Sequence, residues 1–365
     1  MSRHAIRMQS PTTTIRQWLL LVFVFGIARA GEPPLDASEL HVRLATASRH
    51  RLRVLGVDAG EVRLRPSESD TGELVFRLED LRDLQFELPE AYGRAQQLAF
   101  QQQPQEALRL LEPVCEPLLP FVLIPGTNAS PVVQSYLDLL LAQREWDAAD
   151  SLVERLPETA RRSPVFAGRV LRLAHGLRAE QRTAEATTLV LDLCVDATGS
   201  HLAAIERFAH ELRRDGAWEQ AAQLYERMPL PDDVAARSER RLLQAYLMAR
   251  QTTLAAASSL LAEIDAEVLP PDVRPLYGLL RGREHLETGA TNEALDALSH
   301  ALVFAQASSE WRVELQVWLA NAYRAAGRTH VAMTLESDLQ RLHTASRSLA
   351  VASGGNTPAE AVFVP

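Results

Sequence analysis

Residues 202–229 read LAAIERFAHELRRDGAWEQAAQLYERMP, and this stretch decides the fold. Ile205, Phe208, Ala209 and Leu212 recur at helical spacing and give one apolar stripe. Asp215-Gly216 stops that helix, because glycine accepts the left-handed backbone that a helix end needs. A second amphipathic helix follows with Trp218, Ala221, Ala222, Leu224 and Tyr225, and Pro229 closes it. Small residues at Ala209 and Ala221 let the two helices approach closely. Such a pair cannot bury its own stripe and needs a neighbour of the same kind.

Working outward, the same pattern recurs. The close-packed alanine of each second helix is Ala107, Ala149, Ala186, Ala221, Ala257, Ala294 and Ala332, at intervals of 42, 37, 35, 36, 37 and 38 residues. Twelve residues before each stand Ala95, Leu137, Ala174, Ala209, Ala245, Gly282 and Ala320, of which six of seven are small. Turn glycines at Gly216, Gly289 and Gly327 each lie seven residues after that small residue, so two independent features keep one register. Prolines at Pro157, Pro229 and Pro270-Pro271 punctuate the units.

At these residues the chain resembles the tetratricopeptide repeat family, whose unit is a helix–turn–helix of about 34 residues with this placement of small residues. The best matches are 202–230, 131–157 and 316–342. The resemblance implies a mainly α fold, a right-handed α-α superhelix of TPR-like helix–turn–helix units, preceded by a small β module. The departures are longer connections, an aliphatic rather than aromatic first-helix position, Gly278 and Gly282 inside one first helix, and an extra loop at 120–131 (PFVLIPGTNASP). With the signal and the short β segment described next, the chain also resembles exported envelope proteins of Gram-negative-type bacteria.

Upstream of the repeats, residues 38–88 have a period of two. His50–Leu55, Glu61–Arg65, Glu73–Leu78 and Leu84–Leu88 read as strands, Ser38–Leu44 as a further one, Val57–Gly60 as a turn and 66–72 as a polar loop. This segment is read as a small β module, a meander or an SH3- or Sm-like partly open barrel, and as a cap or docking piece for the helices. Residues 1–30 carry Arg3, Arg7 and Arg16, the apolar run Leu19–Ile27 and then Ala28-Arg29-Ala30, which together read as a secretory signal peptide. Nine apolar residues are too few to span a bilayer, which takes about 20. Residues 31–37 are read as a linker, 89–343 as about seven repeats, and 344–365, rich in Ala, Ser and Gly, as a disordered tail.

Lys and Arg number 38 and Asp and Glu 47, a formal charge of −9, which argues against bulk nucleic-acid binding. An exported protein can form disulfides, yet Cys115 and Cys194 sit two repeats apart, beyond the reach of one, and are read as buried thiols. No H-E-x-x-H, G-x-S-x-G, phosphate-cradling glycine loop or C-x-x-C occurs, so no catalytic, cofactor or metal residues are assigned and no enzyme activity is expected.

In resembling arrays the first helices line the groove. The residues placed there are Arg172, His175, Arg178, His210, Arg213, Arg214, Tyr246, Arg250, Arg283, Trp318, Asn321 and Arg324, with Glu206, Arg207, Glu239, Glu287 and Glu314 among them. Eight arginines against four glutamates, on an acidic chain, point to a protein or peptide partner of acidic character. The expected role is a non-enzymatic scaffold in the periplasm or cell envelope that meets membranes only through partners. A permanent structural subunit of an envelope complex, or a binder of envelope glycans, is the alternative.

Overall fold

The computed structural model describes residues 41–44, 51–58, 60–67, 72–252 and 254–352. The signal, the linker and the start of the first strand lie outside these residues, as does the end of the tail from 353 onward. Among the described residues the fold is mainly α, with fifteen α-helices following a five-stranded antiparallel sheet. The chain divides into two compact units, 1–129 and 130–365.

The first unit holds strands β1 (His41–Leu44), β2 (Leu52–Asp58), β3 (Glu61–Pro66), β4 (Leu74–Arg77) and β5 (Leu84–Phe86). Their order is β4-β3-β2-β1-β5, so the last strand returns beside the first and the sheet is not a simple meander. Alternation sends Val42, Leu52, Val54, Val62, Leu64, Leu84 and Phe86 inward. The turn between β2 and β3 is tighter than the Val57–Gly60 expected. A bulge between Val54 and Gly56 resets the register, Asp58 pairs with Glu61, and Gly60 takes φ +83°.

Helices α1 (Glu90–Phe100) and α2 (Pro104–Cys115) complete this unit, followed by a 3-10 stretch over Glu116–Phe121. The long loop behind the 42-residue interval is what fastens the sheet. Phe121 packs on Phe86 with ring centroids 4.9 Å apart. The Asn128 side chain accepts from the Phe86 N–H at 2.8 Å and donates to the Phe86 carbonyl at 2.9 Å. Asp83 N–H donates to the Pro125 carbonyl, and Gln85 donates to that of Gly126.

In the second unit α3 (Ala129–Gln143) and α4 (Trp146–Arg155) form a pair, and a short helix α5 (Glu158–Arg162) intervenes. Four pairs follow: α6 (Pro164–Ala179) with α7 (Thr183–Leu193), α8 (Gly199–Arg214) with α9 (Trp218–Arg227), α10 (Val234–Gln251) with α11 (Leu254–Ala262), and α12 (Arg274–Glu287) with α13 (Thr291–Phe304). The last pair is α14 (Arg312–Ala325) with α15 (Thr329–Ala352). First helices pack on first helices (α6 on α8, α10 on α12, α12 on α14), and α7 packs on α9.

The alanines that set the register, from Ala107 to Ala332, are each 0 % exposed. Their first-helix partners Ala95, Leu137, Ala174, Ala209 and Ala245 are likewise fully buried. Glycine at 282 is required by closeness: a Cβ there would lie 2.4 Å from Leu298 Cγ, and one at Gly278 2.6 Å from Ala301 Cβ. These two glycines let the Leu298 and Ala301 side chains of α13 seat directly against the α12 backbone. Helix α15 continues to Ala352, past Thr344 where the tail was expected to begin; glycine and proline enter the sequence only from Gly354.

Candidate functional site

The candidate site is the first-helix face of the second unit, where ten of the twelve sequence-selected residues fall into four groups and two stand apart. On α6 and α8, Arg178 bridges Glu211 at 2.7 Å and Asp215 at 3.1 Å, and its guanidinium lies 5.8 Å from the Phe208 ring centroid. His175 meets the same Glu211 at 3.3 Å and stands edge-on to Phe208. Burial pulls the His175 imidazole below its ordinary value, against the pull of Glu211. Arg172, one turn away, shares Asp138 of α3 with Arg169 and stays 58 % exposed.

The second group reaches across the array. Arg213, at the end of α8, donates to both carboxylate oxygens of Glu310 at 2.8 Å and stacks 4.6 Å from the Trp311 ring centroid. Its side chain is only 5 % exposed. Arg214 touches Glu310 at 3.2 Å but is 66 % exposed. Burial works against the Glu310 carboxylate, yet the hydrogen bonds from Arg213 and Arg214 hold it below its ordinary value. His210 bonds the buried Tyr225 hydroxyl at 3.1 Å, and burial lowers its pKa too.

In the third group Tyr246 of α10 donates to Glu314 of α14 at 2.9 Å, and Arg250 meets the same carboxylate at 2.8 Å. Tyr246 packs edge-on between Trp218, 6.1 Å away, and Trp311, 5.1 Å away. Burial pushes its hydroxyl up to about 12. Arg250 covers the Trp218 ring at 5.3 Å. The fourth group is Arg283 over Trp318 at 4.6 Å, with a long bond to the Ala249 carbonyl and two nitrogens, Nε and Nη1, buried without a hydrogen-bond partner. Burial lowers this guanidinium below its usual value. Asn321 and Arg324 stand apart: Arg324 donates to Asn321 at 2.8 Å and also pairs with Glu336 of α15.

These contacts change the meaning of the arginines. Arg213 and Arg250 are both engaged by the chain's own carboxylates and aromatic rings; Arg213 is buried and needs that partner, while Arg250 stays 36 % exposed. Glu310 and Trp311, which organise the face, escaped the sequence reading because they precede α14 and fall outside the helical register. Glu211 escaped it because it lies two residues after Ala209, off the positions chosen for the groove, and Asp138 because it lies in the repeat of Leu137, ahead of those from which the groove residues were taken. Arg172, Arg207 and Arg214 face solvent, as do Arg250 in part and Arg324 beside Glu336.

Both cysteines are buried and not joined in a disulfide. Desolvation raises both thiols, that of Cys194 to about 11. Among the described residues no group of three or more His, Cys, Asp or Glu could hold a metal ion, and no helix is long and apolar enough to cross a membrane. Asn128, which with Ala129 and Ser130 spells an Asn-x-Ser glycosylation pattern, has its side-chain amide bonded to both polar groups of Phe86.

No family model and no curated protein matches the chain. Among solved structures it is similar to nearly identical TPR-like repeats named as a Podospora anserina kinesin light chain. The identity is 17 %, the match covers 71 % of this chain and 95 % of the other, and the TM-score is 0.25. At that score the fold rests on the helix pairs themselves.

Proposed function

We propose that the chain is a non-enzymatic scaffold of the periplasm or cell envelope whose first-helix face holds a segment of a partner protein. The observation that carries this reading is the set of exposed cations Arg172, Arg207 and Arg214 on the first helices α6 and α8, together with the stacks of Arg213 on Trp311 and Arg250 on Trp218. A rigid wall with exposed guanidiniums suits carboxylates of an acidic segment, and charge at such a rim acts on association rate and salt dependence. Export rests on the basic start, the apolar run and the Ala28-Arg29-Ala30 pattern. N-terminal sequencing of the protein recovered from the envelope fraction then begins at Gly31.

The test is affinity capture from that fraction with three forms of the chain. The double reversal Arg172→Glu with Arg214→Glu is expected to lower partner recovery about tenfold and to flatten its salt dependence. Arg155→Glu, on a second helix, is expected to change little. Equal recovery with all three forms would remove the first-helix face from consideration. Arg213 is left unchanged in this test, because reversing it would set a glutamate against Glu310.

A second reading, a subunit of a permanent assembly, is favoured by Val303, Phe304 and Met333. They lie on the second helices α13 and α15 and are 79, 62 and 63 % exposed. It predicts a partner that co-purifies at fixed stoichiometry and is indifferent to the arginine reversals. The glycan reading loses support, since the Trp218, Trp311 and Trp318 faces are covered by guanidiniums.

A further inference from the structure

The two edges of the five-stranded sheet are unlike. The β5 edge is closed within the first unit: Asn128 takes both polar groups of Phe86, and the 125–126 backbone takes Asp83 and Gln85. Among the described residues β4 pairs with β3 alone. Its Leu74 and Val75 are 43 and 53 % exposed. An apolar open edge is a template for another strand.

The register says which groups β4 offers. Leu78 N–H donates to the Gly60 carbonyl, and Leu64 faces Leu74, Arg63 faces Val75 and Val62 faces Phe76. Hydrogen-bonded and non-bonded pairs alternate in an antiparallel ladder. Leu74, Phe76 and Leu78 therefore turn their N–H and C=O toward β3, while those of Glu73, Val75 and Arg77 turn outward. The side chains of Glu73, Val75 and Arg77 share one face, and those of Leu74 and Phe76 share the other.

We infer that this edge pairs with the β4 edge of a second copy of the chain, antiparallel and two-fold about Val75. The sequence Glu73-Leu74-Val75-Phe76-Arg77 is self-complementary in that arrangement. Val75 meets the partner's Val75 at an outward-facing, hydrogen-bonding position. Glu73 meets the partner's Arg77, again at such positions, and the same pair recurs across the axis. Leu74 meets the partner's Phe76 on the other face. A parallel pairing in register would set Glu73 on Glu73 and Arg77 on Arg77, so the charges select the antiparallel form. In the single chain these charges have only weak competing contacts, Glu73 to Arg63 at 3.7 Å and Arg77 to Glu79 at 3.6 Å. An isologous contact of this kind closes as a dimer and does not propagate.

Sedimentation equilibrium on the full chain as isolated from its source tests this. The expected result is a monomer–dimer equilibrium in the micromolar range. Glu73→Arg makes both cross-axis pairs Arg–Arg and is expected to weaken the dimer about tenfold or more, as is Arg77→Glu. Combining Glu73→Arg with Arg77→Glu restores complementarity and is expected to return the affinity to within about threefold of the original. Val75→Pro removes the central N–H and is expected to leave a monomer. Melting curves of the charge variants stay close to that of the original chain, since both side chains are exposed. A monomer at every concentration would overturn the inference. So would a dimer indifferent to the single reversals, or one that the double reversal fails to restore.

Discussion

At Gln181 the backbone stands at φ +65°, a left-handed conformation that glycine adopts freely and glutamine does not. Gln102 and Arg144 do the same at φ +59°, and each lies seven residues after its first-helix register residue, where Gly216, Gly289 and Gly327 stand in other repeats. In all six turns the next residue donates to the carbonyl five positions back, as Arg182 does to Leu177 and Ala217 to Leu212. This is the Schellman closure, and it fixes the left-handed residue whatever its side chain. The exposed Gln181 side chain makes no contact that would be missed. Gln181→Gly is therefore expected to stabilise the second unit by about 0.5–1 kcal/mol, the left-handed strain relieved less the added chain entropy of glycine. A thermal melt checks it: a rise of about 1–4 °C is expected, and a fall would mean that the residue is held by something other than the turn.

At the scale of the helix pair, small residues at facing positions set how near two helices can lie. Ala221 of α9 and Ala209 of α8 are both 0 % exposed, so no space is left for a larger side chain at either. Ala221→Trp is expected to cost about 3 kcal/mol or more by overpacking. Because each pair leans only on its neighbours, the damage should be local, with a broadened transition rather than loss of all structure. Circular dichroism during denaturation reads this; an unchanged transition would show that the alanines are not the contact.

At the scale of the second unit, one segment joins repeats that are distant in sequence. Glu310 and Trp311 touch Arg213 some 97 residues away, and Glu314 touches Tyr246 across 68. Trp311 is 5 % exposed and lies against both Arg213 and Tyr246. Trp311→Ala is expected to cost about 3–5 kcal/mol from the lost burial and cavity. Its signature is regional: amide exchange should quicken at the end of α8, in α10 and in α14, and much less in α6 and α7. Uniform acceleration, or none, would show that this contact does not tie the repeats together.

The sequence by itself determined the helix pairs, because helical periodicity, small-residue contacts and turn glycines are local and recur in one register. It also marked the segment ahead of them as β, since a period of two is equally local. It left three of the left-handed turns unread, because glutamine and arginine carry no turn signal there. It gave no account of the loop at 120–131, whose Phe121 and Asn128 act on Phe86, far back in the chain. Above all, it treated the first-helix arginines as a charge count. Which of them face solvent and which are bound by Glu211, Glu310 and Glu314 depends on where distant helices come to lie. Only tertiary structure decides that, because an ion pair needs two groups within a few ångströms and sequence spacing does not report distance between repeats.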